Sequence, residues 1–192
     1  MHRESERPSD EELVKRFLAG TEDAFTELMR RHEDRIFSLA MRMTGNRADA
    51  LDATQETFIQ AFRKAARFRG DSAFGTWLWR IGINASNDIL RKRKRTPIPE
   101  EEPAGEEPMG SSATIDDTVV TRLELTDALA QLSEEYKEAV VMHDIGGIPY
   151  EEIATLTGVS IGTVKSRISR GRKRLAHLLE QGSPSRTSKE SR

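Results

Sequence analysis

Tyr150-Glu151-Glu152-Ile153-Ala154-Thr155-Leu156-Thr157, Gly158-Val159-Ser160 and Ile161-Gly162-Thr163-Val164-Lys165-Ser166-Arg167-Ile168-Ser169-Arg170-Gly171-Arg172 read as a helix, a tight turn and a second helix that runs on to Leu179. Gly158 supplies the positive φ such a turn wants, Ala154 is small where the helices approach, and Ile153, Val159, Val164 and Ile168 face inward. With about 100° of rotation per residue, Ile168, Gly171 and Leu175 stay beside Val164 as a buried stripe. The opposite face is then Gly162, Lys165, Ser166, Ser169, Arg170 and Lys173, with Arg167, Arg172 and Arg174 on the flanks and no acid from 161 to 179. Small residues, hydroxyls and cations turned outward suit the major groove: Lys and Arg read guanine edges while flanking cations hold phosphates. A solvated basic face on an ordinary helix hairpin would use similar letters; the coincidence of turn signature and one-signed face favours DNA binding.

Upstream, a helix from about Thr121 to Leu132 precedes Ser133, a good cap for another that ends near Gly146-Gly147. Residues 96 to 121 hold seven acids, four of the seven prolines and no Lys or Arg, which is the composition of a flexible acidic linker. Before it stand four helical stretches and no strand. Ser9 and Glu12 have capping-box spacing ahead of Leu13, Val14, Phe17 and Leu18, with Gly20 as the stop. Thr21 opens a longer helix in which Phe25, Leu28, Met29, His32, Ile36, Leu39 and Met43 recur until Gly45. A third runs from about Asp49 to Phe68 and a fourth from about Ala73 to Arg93, ahead of the end of a run of five cations at Arg95. The chain is therefore expected to be all-α: two small helical domains, 10–95 and 122–180, joined by the linker 96–121 and followed by a disordered tail, 181–192.

Composition agrees with this division. The 192 residues are too few for a large enzyme core beside a linker of that length. No apolar run nears the roughly 20 residues that span a bilayer, and no secretory signal opens the chain, so a cytoplasmic protein without membrane insertion is expected. The absence of cysteine and the scatter of His2, His32, His143 and His177 argue against metal sites and cofactors. A net charge of −2 averages over segregated signs, so position matters more than the total.

In the fourth helix, Phe74, Leu78, Ile81, Ala85 and Ile89 make an apolar stripe, and Arg80, Asn84, Asn87 and Arg91 make a polar one. Trp77 lies beside the polar row, whereas Trp79 and Ile83 point away from the core stripe, where an isolated domain would leave them wet. Cations, amides and aromatics together are what single-stranded nucleic acid requires; either tryptophan alone is equally well read as core. On the third helix, Leu51, Phe58, Ile59, Phe62, Ala65 and Ala66 are expected to be buried, while Asp52, Glu56 and Arg63 share an edge with Gln55 at its margin. That edge fits a basic protein partner and a solvated helix face equally well.

Three stretches together strongly resemble the extracytoplasmic-function group of bacterial RNA polymerase sigma factors. Residues 49–58 resemble the core-binding helix of conserved region two, 68–84 its promoter-melting stretch, and 162–172 the recognition helix of region four. The resemblance implies that Asp52, Gln55 and Glu56, with Leu51 and Phe58 shaping the helix, dock on core RNA polymerase through the beta-prime clamp, the beta subunit being the other core partner. It implies that Phe68, Arg69, Gly70, Asp71, Ser72 and Asn84 capture an unstacked base of the minus-ten promoter DNA, and that Arg80, Asn87 and Arg91 follow the opened strand. Gly162, Thr163, Lys165, Ser166, Arg167, Ser169, Arg170 and Lys173 would meet the minus-35 element. It further implies a linker threading polymerase channels, control by an anti-sigma factor that Trp79 and Ile83 could help to contact, and no catalytic residue. Pro149 stands where many relatives carry a capping Ser or Thr. A stand-alone helix-turn-helix regulator is the alternative; it would need a dimer or a receiver domain, and residues 10–95 show no βαβ alternation.

Overall fold

The computed structural model describes residues 7–95 and 117–182, with side chains described for 7–95 and 124–181. Every regular element among them is helical. In the first domain, α1 (Asp10–Leu18) is capped by Ser9, whose hydroxyl accepts the Glu12 N–H at 3.2 Å. Thr21 precedes α2 (Glu22–Thr44) without a side-chain cap, and Gly45 closes that helix at φ 83°. Asn46 starts α3 (Arg47–Lys64) by accepting the Asp49 N–H at 2.8 Å. A single 3₁₀ turn (Ala65–Arg67) extends it, and α4 (Phe74–Arg95) follows. Leu28, Ile36, Leu39, Met43, Phe58, Phe74, Leu78 and Ile81 form the core where α2, α3 and α4 pack together.

The second domain begins with α5 (Asp117–Ala130), which starts within the stretch read as linker. Then come α6 (Glu134–Val140), a widened π turn (Val141–Ile145), α7 (Tyr150–Thr157) and α8 (Ile161–Gly182). Gln181 and Gly182, read as tail, complete α8. The rest of the expected linker, 96–116, and of the tail, 183–192, lies outside the described residues. Gly158 has φ 71°, and Pro149 starts α7 with no side-chain bond. Val164 and Ile168 are buried against α6 and α7, and Gly171 lets α8 approach α6 so closely that a Cβ there would lie 2.6 Å from Val140 Cγ2.

The two domains pack on one another. Trp79 and Ile83, expected to be wet, are buried, Trp79 because its ring lies over Gly146, where a Cβ would come within 2.7 Å of Cζ3. The buried Lys137 ammonium crosses the seam to donate to the Met43 carbonyl at 3.2 Å. Asn87 donates from Nδ2 to Glu138 Oε1 at 2.5 Å. The expected burial on α3 is also corrected. Phe58 and Ala65 are inside, but Leu51 and Phe62 are 49% exposed, and Ile59 and Ala66 face outward too, because α2 and α4 cover the other side of the helix.

Candidate nucleic-acid interface

On α8, the residues opposite the buried stripe are open to solvent as the helical wheel requires. Gly162, Lys165, Ser166, Ser169, Arg170 and Lys173 are exposed, and Thr163 is partly covered. Ser160 caps the helix by accepting the Thr163 N–H at 3.1 Å, which leaves the N-terminal turn forward of the helix-turn-helix. Two of the three flanking arginines behave differently. Arg167 pairs with Glu135 at 2.8 Å, and Arg172 donates from Nε to Asp144 Oδ2 at 3.0 Å, an attachment that raises its pKa further. Lys165, Arg170 and Lys173 make no ion pair among the described residues. With Arg174 on the flank, which is also exposed and makes no ion pair among the described residues, they can meet an external anion.

Sequence reasoning missed the support beneath Lys165. Its ammonium lies over the Tyr150 ring at 5.7 Å from the centroid, and His143 stacks on Tyr150 with ring centroids 4.3 Å apart. The imidazole is itself fixed by the Ile148 carbonyl, 3.0 Å from Nδ1. Both aromatics precede the recognition helix, and no periodicity in α8 could reveal them.

On the first domain, Phe68, Phe74 and Trp77 form an aromatic triad, with centroids 5.5 to 5.6 Å apart pairwise. The triad closes the base of the loop that carries Arg69, Gly70, Asp71 and Ser72. Gly70 turns this loop at φ 77°. Arg69, Gly70 and Asp71 are exposed and Ser72 is partly covered. On α4, Arg80 and Asn84 are exposed one turn apart and face the same way as a polar row would. Asn87, placed in that row by spacing, is not available in this arrangement: it is 4% exposed and held by Glu138. Arg91 is exposed but engaged, with Asp88 at 2.7 Å and Glu134 at 3.7 Å. The second domain thus covers one end of the α4 row.

Burial has electrostatic consequences at this seam. It pushes the Glu138 carboxyl above the usual range, partly offset by the Asn87 hydrogen bond. It pushes Lys137 below the usual lysine range, with Lys94 adding to the effect.

A second surface lies on α3. Leu51, Asp52 and Gln55 are exposed and Glu56 is partly covered, while Phe58 is buried beneath them. Ile59 and Phe62 continue the exposed apolar row from Leu51, so the surface is acidic along one edge and apolar along the other. Such an amphipathic face suits a protein partner better than phosphate. Among the described residues, no group of His, Cys, Asp and Glu is placed to hold a metal ion, and no helix is long and apolar enough to cross a membrane.

Comparison with known proteins gives this geometry a context. Residues 28–96 match the family model for sigma-70 region 2, and residues 122–175 match that for sigma-70, region 4. The chain is 39% identical over 191 residues to the ECF RNA polymerase sigma factor SigE of Mycolicibacterium smegmatis, covering 92% of this chain and 71% of that one. It is 35% identical to the RNA polymerase sigma-H factor of Pseudomonas aeruginosa, with 89% and 94% of the two chains covered. Among solved structures, CnrH in complex with the cytosolic domain of CnrY superposes with a TM-score of 0.69 at 26% identity, over 92% of this chain and all of that one. The sigma factor RpoE in complex with the anti-sigma factor NepR from Bartonella quintana gives 0.64 at 28% identity, over 83% and 98%. Two helical domains in this order, each matched by its own region and both spanned by a single alignment to each relative, place the chain in the extracytoplasmic-function family of RNA polymerase sigma factors.

Proposed function

We propose that each exposed surface serves a separate step of transcription initiation, within a non-catalytic specificity subunit of cytoplasmic RNA polymerase. Leu51, Asp52, Gln55 and Glu56 dock on the beta-prime clamp of core polymerase, with Phe58 holding the helix in place from below and the beta subunit completing the core contact. Lys165, Ser166, Ser169 and Arg170 read minus-35 base edges, with Gly162 and Thr163 allowing close approach and Lys173 and Arg167 on phosphate. The loop of Phe68, Arg69, Gly70, Asp71 and Ser72, together with Asn84, holds a base drawn out of the minus-ten duplex. Arg80 then follows the separated strand. Unstacking a base costs a few kcal/mol, which contacts of an amide and aromatic-lined loop offset once polymerase fixes its position.

The observation that carries this reading is the pairing of two cation-bearing surfaces on separate domains, one with free lysine and arginine on a helix-turn-helix and one with Arg80 and Asn84 beside an aromatic triad. Asn87 and Arg91 join the minus-ten surface only when the seam opens, because Glu138 and Glu134 occupy them in the packed arrangement. Core polymerase is the partner able to separate the domains, and an anti-sigma factor, a class of protein that binds RpoE in a structure similar to this one, is the partner that opposes it. In vitro transcription with purified core polymerase tests the proposal: promoter-specific RNA is expected only when this chain is added. Permanganate footprinting of the same complexes should show lost reactivity for Asn84→Ala at undiminished closed-complex formation, and unchanged reactivity would remove the base-capture role.

A further inference from the structure

His32 lies in the middle of α2, is buried, and carries none of the roles assigned above. Its Nε2–H donates to Asp10 Oδ2 at 2.6 Å. Asp10 is the first residue of α1, and its other carboxylate oxygen accepts from Arg31 Nη1 at 3.1 Å. Arg31 is fixed in turn by the Pro8 carbonyl at 2.8 Å and by Glu27 at 2.9 Å. The carboxylate is thereby oriented from two sides, and the imidazole plane is set by it.

The opposite side of the ring faces the start of α4. The imidazole stands edge-on to Phe74 at 5.5 Å between centroids, and Gly75 leaves so little room that a Cβ there would lie 3.3 Å from His32 Cε1. Phe74 is a member of the triad and touches both Phe68 and Trp77. A continuous line of contact therefore runs from the Asp10 carboxylate through His32 and Phe74 to Phe68, the residue from which the exposed loop 69–72 departs. A hydrocarbon at position 32 could fill the space but would leave the Asp10 carboxylate oxygen without this donor and would set no ring orientation.

We propose that Asp10 and His32 are a positioning pair for promoter opening: they hold the first turn of α4, and with it the loop 69–72, in the geometry that accepts an unstacked base. This inference rests on the minus-ten reading of that loop. The pair does not touch DNA; it acts through Phe74 and Phe68. α1, otherwise a packing helix at the edge of the domain, becomes the brace of the melting loop, since it also packs on the 3₁₀ turn just before Phe68.

The test uses holoenzyme assembled from core polymerase and the full chain, and separates closed-complex affinity from the rate of strand opening. Asp10→Ala and His32→Ala are each expected to slow opening on the order of tenfold, the worth of a charge-assisted hydrogen bond. Closed-complex affinity should stay unchanged. The double variant should lose less than the product of the two single losses, because both singles remove the same His32–Asp10 hydrogen bond. Asp10→Asn and His32→Gln, which keep an acceptor and a donor in place, should recover most of the rate, and a template with a mismatched minus-ten bubble should relieve the alanine variants. Should His32→Ala fail to fold, Asp10→Ala, partly exposed at a helix start, decides alone. Opening at the wild-type rate in folded Asp10→Ala, or equal losses in closed-complex binding and opening, would overturn the inference. If Asn84→Ala still impairs opening in that case, only the positioning role is lost; if it does not, the reading of the loop falls as well.

Discussion

Replacing Glu138 distinguishes a working seam between the domains from an incidental one. With the domains packed, Asn87 is 4% exposed and its Nδ2 has Glu138 Oε1 as partner at 2.5 Å. Glu138→Ala leaves that amide donor buried and unpaired, at a cost of about 1–3 kcal/mol. The cost falls on the packed form alone, since water satisfies both groups when the domains part. Relative to Glu138→Gln, which removes the same buried charge but keeps the acceptor, the ratio of separated to packed molecules should therefore be about 5- to 150-fold higher. Glu138→Gln should itself favour the packed form. Its Oε1 still accepts from Asn87, while the burial that holds the carboxyl above its usual range no longer has a charge to penalise. The chain has no cysteine, so dyes on introduced cysteines at the exposed Ala48 and Ala176 would report domain separation by energy transfer. Thermal melts would establish that each variant is folded. If alanine parts the domains no more than glutamine does, the energetic reasoning about the seam is wrong.

The same pair of dyes should reveal a pH dependence with two limbs. Glu138 binds its proton more readily in the packed form, so packing is favoured as pH falls from the raised value towards the ordinary glutamate value, and that advantage disappears as pH rises. Lys137 gives up its proton more readily in the packed form, so packing is favoured again as pH climbs from the lowered value towards the ordinary lysine value. Separation should peak between these limbs, and Glu138→Gln should abolish the acid limb alone. On α8, Lys165→Ala and Arg170→Ala should each weaken minus-35 binding by about 1–3 kcal/mol in holoenzyme, measured by competition between promoter variants. Arg167→Ala should cost less, because Glu135 already satisfies that guanidinium. Gly171→Ala would drive a methyl group to 2.6 Å from Val140 Cγ2 and 3.2 Å from the Tyr136 carbonyl oxygen, so a loss of about 1–3 kcal/mol in chemical denaturation of the second domain is expected.

Much of the fold is legible in local signals. Ser9, Gly45 and Gly158 end or start helices as their chemistry predicts, and the stripe of Val164, Ile168 and Gly171 is buried as spacing requires. What spacing could not supply is which of two apolar rows on a helix meets the core. On α3 the row of Leu51, Ile59 and Phe62 competes with that of Ala50, Ala53, Thr57 and Phe58, and only the placement of α2 and α4 decides for the second. Thr57 shows why a reader of letters misjudges it: its hydroxyl donates to the Ala53 carbonyl at 2.6 Å, which lets a polar residue occupy a fully buried site. The seam was invisible for a different reason. Asn87 and Glu138 lie 51 positions apart, both have the character of surface residues, and nothing in either helix announces the other.

The character of that seam has a consequence for the life of the protein after each round of initiation. Its fastenings are an amide to a carboxylate, an ammonium to a carbonyl and an arginine to a glutamate, with Trp79 as the large apolar member. Polar fastenings of this kind exchange for water at small net cost. Parting the halves also uncovers apolar surface, because one hydrophobic cluster joins Trp79 and Ile83 of the first domain to Leu129 and Met142 of the second. A chain built this way, once released, covers that surface by folding back on itself, and each domain shields the other.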